Sequence, residues 1–353
     1  MKIMLVDPSS YSLPYDYQYV KASCKFIEVD LFCSQRTNDV SQFVNMKQNN
    51  FSYNEIRVSP SITNKVFGVY NYFSFLVKLV FIQSRYKYIH FQWSIFFLLE
   101  LPFFLILRKK LIFTIHNDVP HGYKGKRYLP YWLISKIAKR IVFVSNFTKT
   151  RFENNYGKSN RYFLIQHGLM PISECGKLNA ATSVSSKKTL VFWGRVEDYK
   201  GVDIFLESLR NYKVEIHGRW SKSLEPLKYE LLSKSNIEIV DAYISENDIC
   251  ELICRDEIFI LPYKSATQSG VLYTLLAHQC VFICSDVGEN YEFLKKHNLQ
   301  ELAFNRDSQE SIEKAVNFAT QNYSLLKDKM ISISKKYSWD LIINKRVIET
   351  IYE

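Results

Sequence analysis

Short apolar, strand-like runs alternate with longer helix-like stretches from one end of this sequence to the other. That alternation restricts the chain to α/β layers built on largely parallel sheets. In the first half the strand-like runs are Ile3–Asp7, Lys25–Val29, Tyr88–Phe91, Leu111–Ile115, Arg140–Val144 and Tyr162–Ile165. Helical patterns fill Tyr15–Cys24, Lys65–Ser84, Leu129–Lys139 and Phe147–Asn155, while the Asn- and Ser-rich stretch Asn38–Ser61 reads as a loop. Between Gly168 and Lys188 the periodicity lapses into small polar residues, as an interdomain linker does. A second alternating set then runs through Thr189–Trp193, Lys213–Ile216, Ile237–Val240, Glu257–Leu261, Val281–Ser285 and Leu302–Phe304, with a helix expected at Val202–Leu209. A chain of 353 residues exceeds what one ordinary core holds. The expected organisation is a first α/β domain over 1–170, a linker over 171–187, a second α/β domain over 188–337, and a C-terminal helix over 338–353 that returns to the first domain.

Charge is placed unevenly. Residues 1–176 hold 23 Lys and Arg against 10 Asp and Glu, whereas residues 177–353 hold 23 against 25. The positive excess of the first half suits an anionic partner such as a membrane surface, a phosphate-bearing lipid or nucleic acid; it equally suits a Lys-rich solubilising surface. No nucleic-acid-binding module is visible, and no such partner is expected. Trp93–Leu107 is almost wholly apolar, but it contains Glu100 and Pro102 and falls short of the roughly 20 residues a bilayer span needs. It is expected to pack as a buried helix between two strands, with dipping into a membrane as the lesser alternative. The opening run Lys2–Asp7 lacks the pattern of a signal peptide. The seven cysteines include no C-x-x-C, and Cys250, Cys254, Cys280 and Cys284 lie in apolar segments. Reduced thiols in a cytoplasmic protein are the expectation, with no metal site.

In open parallel sheets, ligands bind beyond the carboxyl ends of the strands, so the loops there carry the candidates. After Thr189–Trp193 come Gly194 and Arg195, then Lys200 and Gly201. A glycine that lets backbone approach a ligand, with a guanidinium fork and a mobile ammonium, suits a diphosphate; the same loop also fits a surface turn paired to Glu197 and Asp198. After Glu257–Leu261 comes a loop ending in Thr267, Gln268, Ser269 and Gly270 at a helix start, which offers N–H groups and the positive end of a dipole. Taken alone this is an ordinary Ser/Thr cap; combined with Arg195 and Lys200 it reads as an anion site. A third loop, Ser285–Asn290, offers Asp286 or Glu289 as helix caps. In the first half, His116, Asn117, Asp118 and His121 follow Leu111–Ile115. That density of polar groups fits a metal site lacking an evident third ligand and fits a hydrogen-bonded loop equally. His90 and Gln92, at the end of the preceding strand, are expected to line the same crevice.

The segments FTIHND, IQHG, GRVEDYKGVD and LPYKSATQSGVLYTLLAHQCVFICSDVG, in that order, resemble retaining glycosyltransferases of the GT-B fold, family four. The resemblance covers nearly the whole chain. It implies two Rossmann-like domains facing each other across a cleft, the second binding a nucleotide-sugar donor and the first a glycan or polyprenyl-diphosphate-linked acceptor. It further implies that Arg195 and Lys200 neutralise the donor diphosphate, that Ser269 and Gly270 hold a phosphate through their N–H groups, and that His116 approaches the transferred sugar. Tyr15 and Asp16 occupy the family's first loop and are positioned to touch donor or acceptor. The family's two glutamates, eight positions apart, are replaced here by Ala266 and Thr274. A branch with a T-Q-S-G loop implies that Thr267 or Gln268 substitutes.

The implied activity is a retaining transfer of a sugar in cell-surface polysaccharide synthesis, at the inner face of an anionic membrane, with no cofactor. No Asp-x-Asp motif is present, so the two cations take the part a metal plays elsewhere. Two rivals share the architecture: a nucleotide-sugar 2-epimerase, which would need cleft carboxylates, and a decayed homologue that only binds. A nicotinamide-dependent oxidoreductase is disfavoured, because no G-x-G-x-x-G follows a strand.

Overall fold

The computed structural model describes residues 1–34, 41–46, 48–56, 65–120, 123, 125–172, 175, 188–267 and 269–353. The chain divides into two compact units, Met1–Gly168 with Ser338–Glu353, and Leu169–Tyr337. Each is an α/β unit on a parallel sheet, as the GT-B resemblance implies.

The first unit contains β1 (Lys2–Asp7), α1 (Leu13–Ser23), β2 (Glu28–Cys33), α2 (Ser41–Val44), β3 (Phe51–Glu55), α3 (Lys65–Ile82), β4 (Tyr88–Phe91), α4 (Phe97–Leu107), β5 (Leu111–Ile115), α5 (Leu129–Ile137), β6 (Arg140–Phe143), α6 (Asn146–Tyr156) and β7 (Tyr162–Leu164). Its sheet order is β3-β2-β1-β4-β5-β6-β7, and every pairing is parallel. Because side chains alternate along a strand, β1 feeds two cores. Ile3 and Leu5 join Tyr19 and Val20 of α1, whereas Met4 and Val6 join residues of α3 to α6, among them Tyr72, Phe104, Ile134 and Phe152.

The second unit contains β8 (Leu190–Trp193), β9 (Val214–His217), α7 (Glu225–Leu232), β10 (Ile237–Val240), α8 (Glu246–Cys254), β11 (Ile258–Leu261), α9 (Gly270–Ala277), β12 (Phe282–Ser285), α10 (Gly288–Lys296), β13 (Ala303–Phe304), α11 (Gln309–Gln321) and α12 (Tyr323–Ser334). The order β10-β9-β8-β11-β12-β13 repeats the first six positions of the other sheet. Side-chain caps fix several helix starts: Ser269 accepts from the Leu272 N–H, Ser308 from Ser311, and Ser245 with Asp248 forms a capping box. The chain then adds α13 (Trp339–Ile342) and α14 (Lys345–Tyr352) to the first unit, where Ile348 and Ile351 bury against the α1 side of the sheet. The Tyr352 hydroxyl bonds Nδ1 of His90 at 2.6 Å, and Thr114 Oγ1 lies 2.7 Å from Nε2.

Several expectations are corrected. The region Asn38–Ser61 is not all loop, since β3 pairs with β2 at the sheet edge; a half-exposed edge strand needs no apolar run. The second strand begins at Glu28 rather than Lys25, and Val202–Leu206 forms a 3-10 helix. α4 is buried only along Glu100, Phe103, Phe104 and Leu107, leaving Leu98, Leu105 and Ile106 exposed. Cys175 and Cys250 form a disulfide, 75 residues apart in sequence, so the thiols are not all reduced. The apolar setting of Cys250 on α8 hid this pairing, because burial describes a free thiol and a bridged one alike. His90 lines no crevice: it is fully buried with both ring nitrogens engaged, and burial lowers its pKa to about 3.

Candidate functional site

In the second unit the loops after β8 and β11 interlock. Gly194 adopts a φ of +128°, and a Cβ there would stand 3.7 Å from Val271 in the first turn of α9. Gly218, after β9, could carry no side chain at all, because a Cβ would strike the Gly194 carbonyl at 1.8 Å. The β8 loop turns through a 3-10 segment, Asp198–Lys200, to Gly201 at a φ of +72°, a region that favours glycine. Lys264 fastens the β11 loop to it, donating its N–H to the Tyr199 carbonyl and its ammonium to Asp198, each at 2.8 Å. Asp198 is thereby paired to Lys264.

Lys200 is buried, with its Nζ 2.7 Å from the Tyr263 hydroxyl and 3.9 Å over that ring. Ser269, the cap of α9, reaches the same hydroxyl at 3.4 Å. An ammonium, a phenol and a helix tip are therefore linked. The first turn of α9 contains no acidic residue, so the positive end of its dipole meets no carboxylate of its own. A Cβ at Gly270 would make ordinary van der Waals contact with Met170 Sδ, at 3.6 Å. Thr274 is buried and bonds back to the Gly270 carbonyl at 3.1 Å. Arg195 is exposed on its loop, Thr267 is half-buried, and Gln268 lies outside the described residues.

Ala266 is buried, and its carbonyl accepts the Glu289 N–H at 2.8 Å. Gly288 makes this approach possible, as a Cβ there would meet the same carbonyl at 1.9 Å. Val287, not Asp286 or Glu289, caps α10, and it does so without a side-chain bond. Glu289 and Asn290 are instead buried, and neither amide atom of Asn290 has a hydrogen-bond partner. Sequence reasoning offered Glu289 only as a cap and missed Asn290, a buried amide without a hydrogen-bond partner. The signal was the Gly-Glu-Asn that follows β12.

In the first unit, the ends of β4 and β5 bring His116, Gln92 and Trp93 together. His116 is buried, stacks on Trp93 at 4.2 Å with 6° between the rings, and places Nε2 3.2 Å from Gln92 Oε1. Gln92 Nε2 has no partner. Trp93, read from sequence only as part of an apolar stretch, is thus a member of the cluster, and its indole donates to Ser12 at 2.9 Å. Tyr15 touches His116 through its ring, 5.5 Å away, yet it is buried against His167 and Trp339 as well. Asp16 is fully buried beside Asp7; burial and that neighbouring carboxylate raise its pKa well above the usual range. It is a buried structural group of this unit and not a surface contact. Asp118 is likewise buried and held by Arg151 Nε at 2.8 Å. Asn117 does line a cavity of about 300 Å³, with Tyr11, Trp93, Phe97, Tyr128 and Tyr131. His121 lies outside the described residues. Among the described residues, no group of three or more His, Cys, Asp or Glu could hold a metal ion.

A family model described as Glycosyltransferase Family 4 matches residues 25–170, and one described as Glycosyl transferases group 1 matches residues 187–322. No curated protein matches the sequence. Among solved structures, the Anabaena protein HepE in complex with UDP and glucose superposes with a TM-score of 0.73 at 14% identity, covering 99% of each chain. An E. coli trehalose-6-phosphate protein bound with UDP-2-fluoro glucose gives 0.69 at 11% identity, covering 100% of this chain and 99% of that one. WaaG, a glycosyltransferase involved in lipopolysaccharide biosynthesis, gives 0.63 at 12% identity over 99% of both chains. At these identities the likeness is one of fold.

Proposed function

This chain is a GT-B-fold glycosyltransferase related to Glycosyltransferase Family 4 and to Glycosyl transferases group 1, and on that premise we propose that it moves a sugar, with retention, from a nucleoside-diphosphate sugar held by its second unit to a glycan or polyprenyl-diphosphate-linked acceptor met by its first. The observation that carries the reading is the linked set of Lys200, Tyr263 and Ser269 at a helix tip free of acidic residues. Breaking the sugar–phosphate bond builds negative charge on the departing diphosphate. A fixed ammonium and preset N–H groups stabilise that charge most in the transition state. Arg195 adds a guanidinium fork, and the two cations take the part of a metal. Gly194 and Gly270 lie on the donor side of their loops, while Thr267, Gln268 and Thr274 serve the rest of the donor. His116, oriented by Gln92 and the Trp93 ring, faces the transferred sugar. The aromatic cavity bearing Asn117 receives the acceptor ring. The protein works at the cytoplasmic face of an anionic membrane, in the building of a surface polysaccharide.

The test is release of free UDP or GDP from a panel of nucleotide sugars, with the anomeric configuration of the product read by NMR. Arg195→Ala should lower turnover by about 2–4 kcal/mol of transition-state stabilisation; near-normal turnover in that variant would remove the diphosphate site. Ala266 and Thr274, in place of the family's glutamates, favour a second reading in which the protein binds nucleotide and transfers nothing. Nucleotide binding without consumption of any sugar in the panel would select it, and an epimerised nucleotide sugar would select a 2-epimerase.

A further inference from the structure

We propose that the outer faces of α3 and α4 are the surface by which this protein docks on an anionic phospholipid bilayer. The proposal rests on the membrane location given above and assigns it to particular residues. α3 lies along the sheet, with Tyr72, Leu76 and Leu79 fully buried in the core it shares with α4. Its opposite stripe is not polar, as the outer face of such a helix should be. Phe67, Tyr70 and Phe81 project from α3, while Leu98, Leu105 and Ile106 project from α4; Leu98 is 85% exposed and Phe81 78%. The two helices pack side by side, with Phe73 against Phe103 at 5.8 Å, so these side chains belong to one patch. Contiguous apolar surface of this kind marks an interaction site.

Charge selects the occupant. Between Glu55 and Glu153 the sequence contains only two acidic residues, Glu100 and Asp118. Both are fully buried, the first accepting from Tyr72 and Ser94 and the second from Arg151. Over the same span Lys78, Arg85, Arg108, Lys109, Lys126 and Lys136 are exposed. A face of aromatic and aliphatic side chains, edged by cations and stripped of surface carboxylates, matches anionic headgroups over an acyl boundary. α3 is long and apolar enough to cross a membrane, over Val66–Arg85, but its buried residues seat it on the sheet, and it lies on the bilayer rather than through it. In sequence the exposed Phe96, Leu98 and Leu129 directly flank Phe97 and Pro130 of the aromatic cavity's lining, at the edge of this face. An acceptor with its tail in the bilayer therefore reaches that cavity without leaving the surface.

The experiment is co-sedimentation of the full chain with vesicles of phosphatidylcholine, with and without phosphatidylglycerol, in the absence of any nucleotide sugar. Binding should require phosphatidylglycerol, weaken with salt, and fall by at least about tenfold in Phe67→Asp and in Leu98→Asp. The melting temperature should not change, because both residues are exposed. UDP stabilisation of the same variants, measured separately, reports on the donor reading, so either idea can fail without the other. Equal binding to neutral vesicles, or binding unaffected by both variants, overturns the proposal. So does a dimer in solution that Leu98→Asp dissociates while vesicles pellet nothing, which would make the face a contact between two copies of this chain.

Discussion

The two units share a strand order, yet their corresponding helix tips are prepared differently. β4 and β11 occupy the same place beside the first strand of their sheets, and each leads into a helix. In the first unit the tip of α4 is neutralised from within, because Glu100 accepts the Ile95 N–H at 2.9 Å and the Phe96 N–H at 3.3 Å. In the second unit α9 starts with an uncharged turn capped by Ser269, and Lys200 stands close by. The loops after the first strands differ in the same sense. After β1, Asp7 accepts from Ser9 and Ser10 and closes its own turn; after β8, Gly194 turns at a φ of +128° and Arg195 and Lys200 follow. One fold thus gives the first unit a helix tip met by its own carboxylate and the second a helix tip with none in its first turn. The difference lies in where a carboxylate is placed.

Removing the internal carboxylate should strain that contrast most. Glu100→Ala strands the Tyr72 hydroxyl and two backbone N–H groups, and should cost about 2–4 kcal/mol of stability, read by denaturant unfolding. A loss near zero would mean that the α4 tip never relied on Glu100. Acid should destabilise both units and so bears less sharply on the contrast, because burial also lowers the pKa of His297 in the second unit to about 4. Burial lowers the pKa of His90 to about 3 and of His167 to about 4, below the unfolded value of about 6.5. Their contribution is intact above that value and is lost as pH falls from 6.5 toward 4, by about 1.4 kcal/mol per pH unit for each histidine. His90→Gln should flatten that slope in equilibrium melts, and an unchanged slope would contradict the buried, neutral ring. The smallest effect concerns the outer face of α4. Leu98→Ala should change stability by no more than about 0.5 kcal/mol, since its side chain is already in water.

Much of this was legible in the sequence, for identifiable reasons. Buried parallel strands announce themselves as apolar runs, so β1, β4, β5 and β11 fall where the pattern places them. β3 did not, because Phe51–Glu55 is a half-exposed edge. Candidate residues after β8 and β11 were legible because chain position, not side-chain orientation, puts them at the sheet's carboxyl edge. Orientation is what local spacing lacks: Tyr15, Asp16 and Asp118 stand beside the expected crevice but turn into the core, and the Cys175–Cys250 bridge joins segments that no period relates. Trp93 was hidden by its neighbours, since an aromatic residue at the head of an apolar run reads as packing until a ring is found stacked on it.

The most direct test is a titration of UDP against UMP, followed by melting temperature, for the natural protein, Arg195→Ala and Lys200→Met. Stabilisation by a ligand follows its affinity for the folded state. UDP should stabilise the natural protein more than UMP does, and each variant should erase the advantage of the second phosphate while leaving the unliganded melt nearly in place. If UDP outperforms UMP equally in all three proteins, the ammonium and guanidinium do not receive the diphosphate.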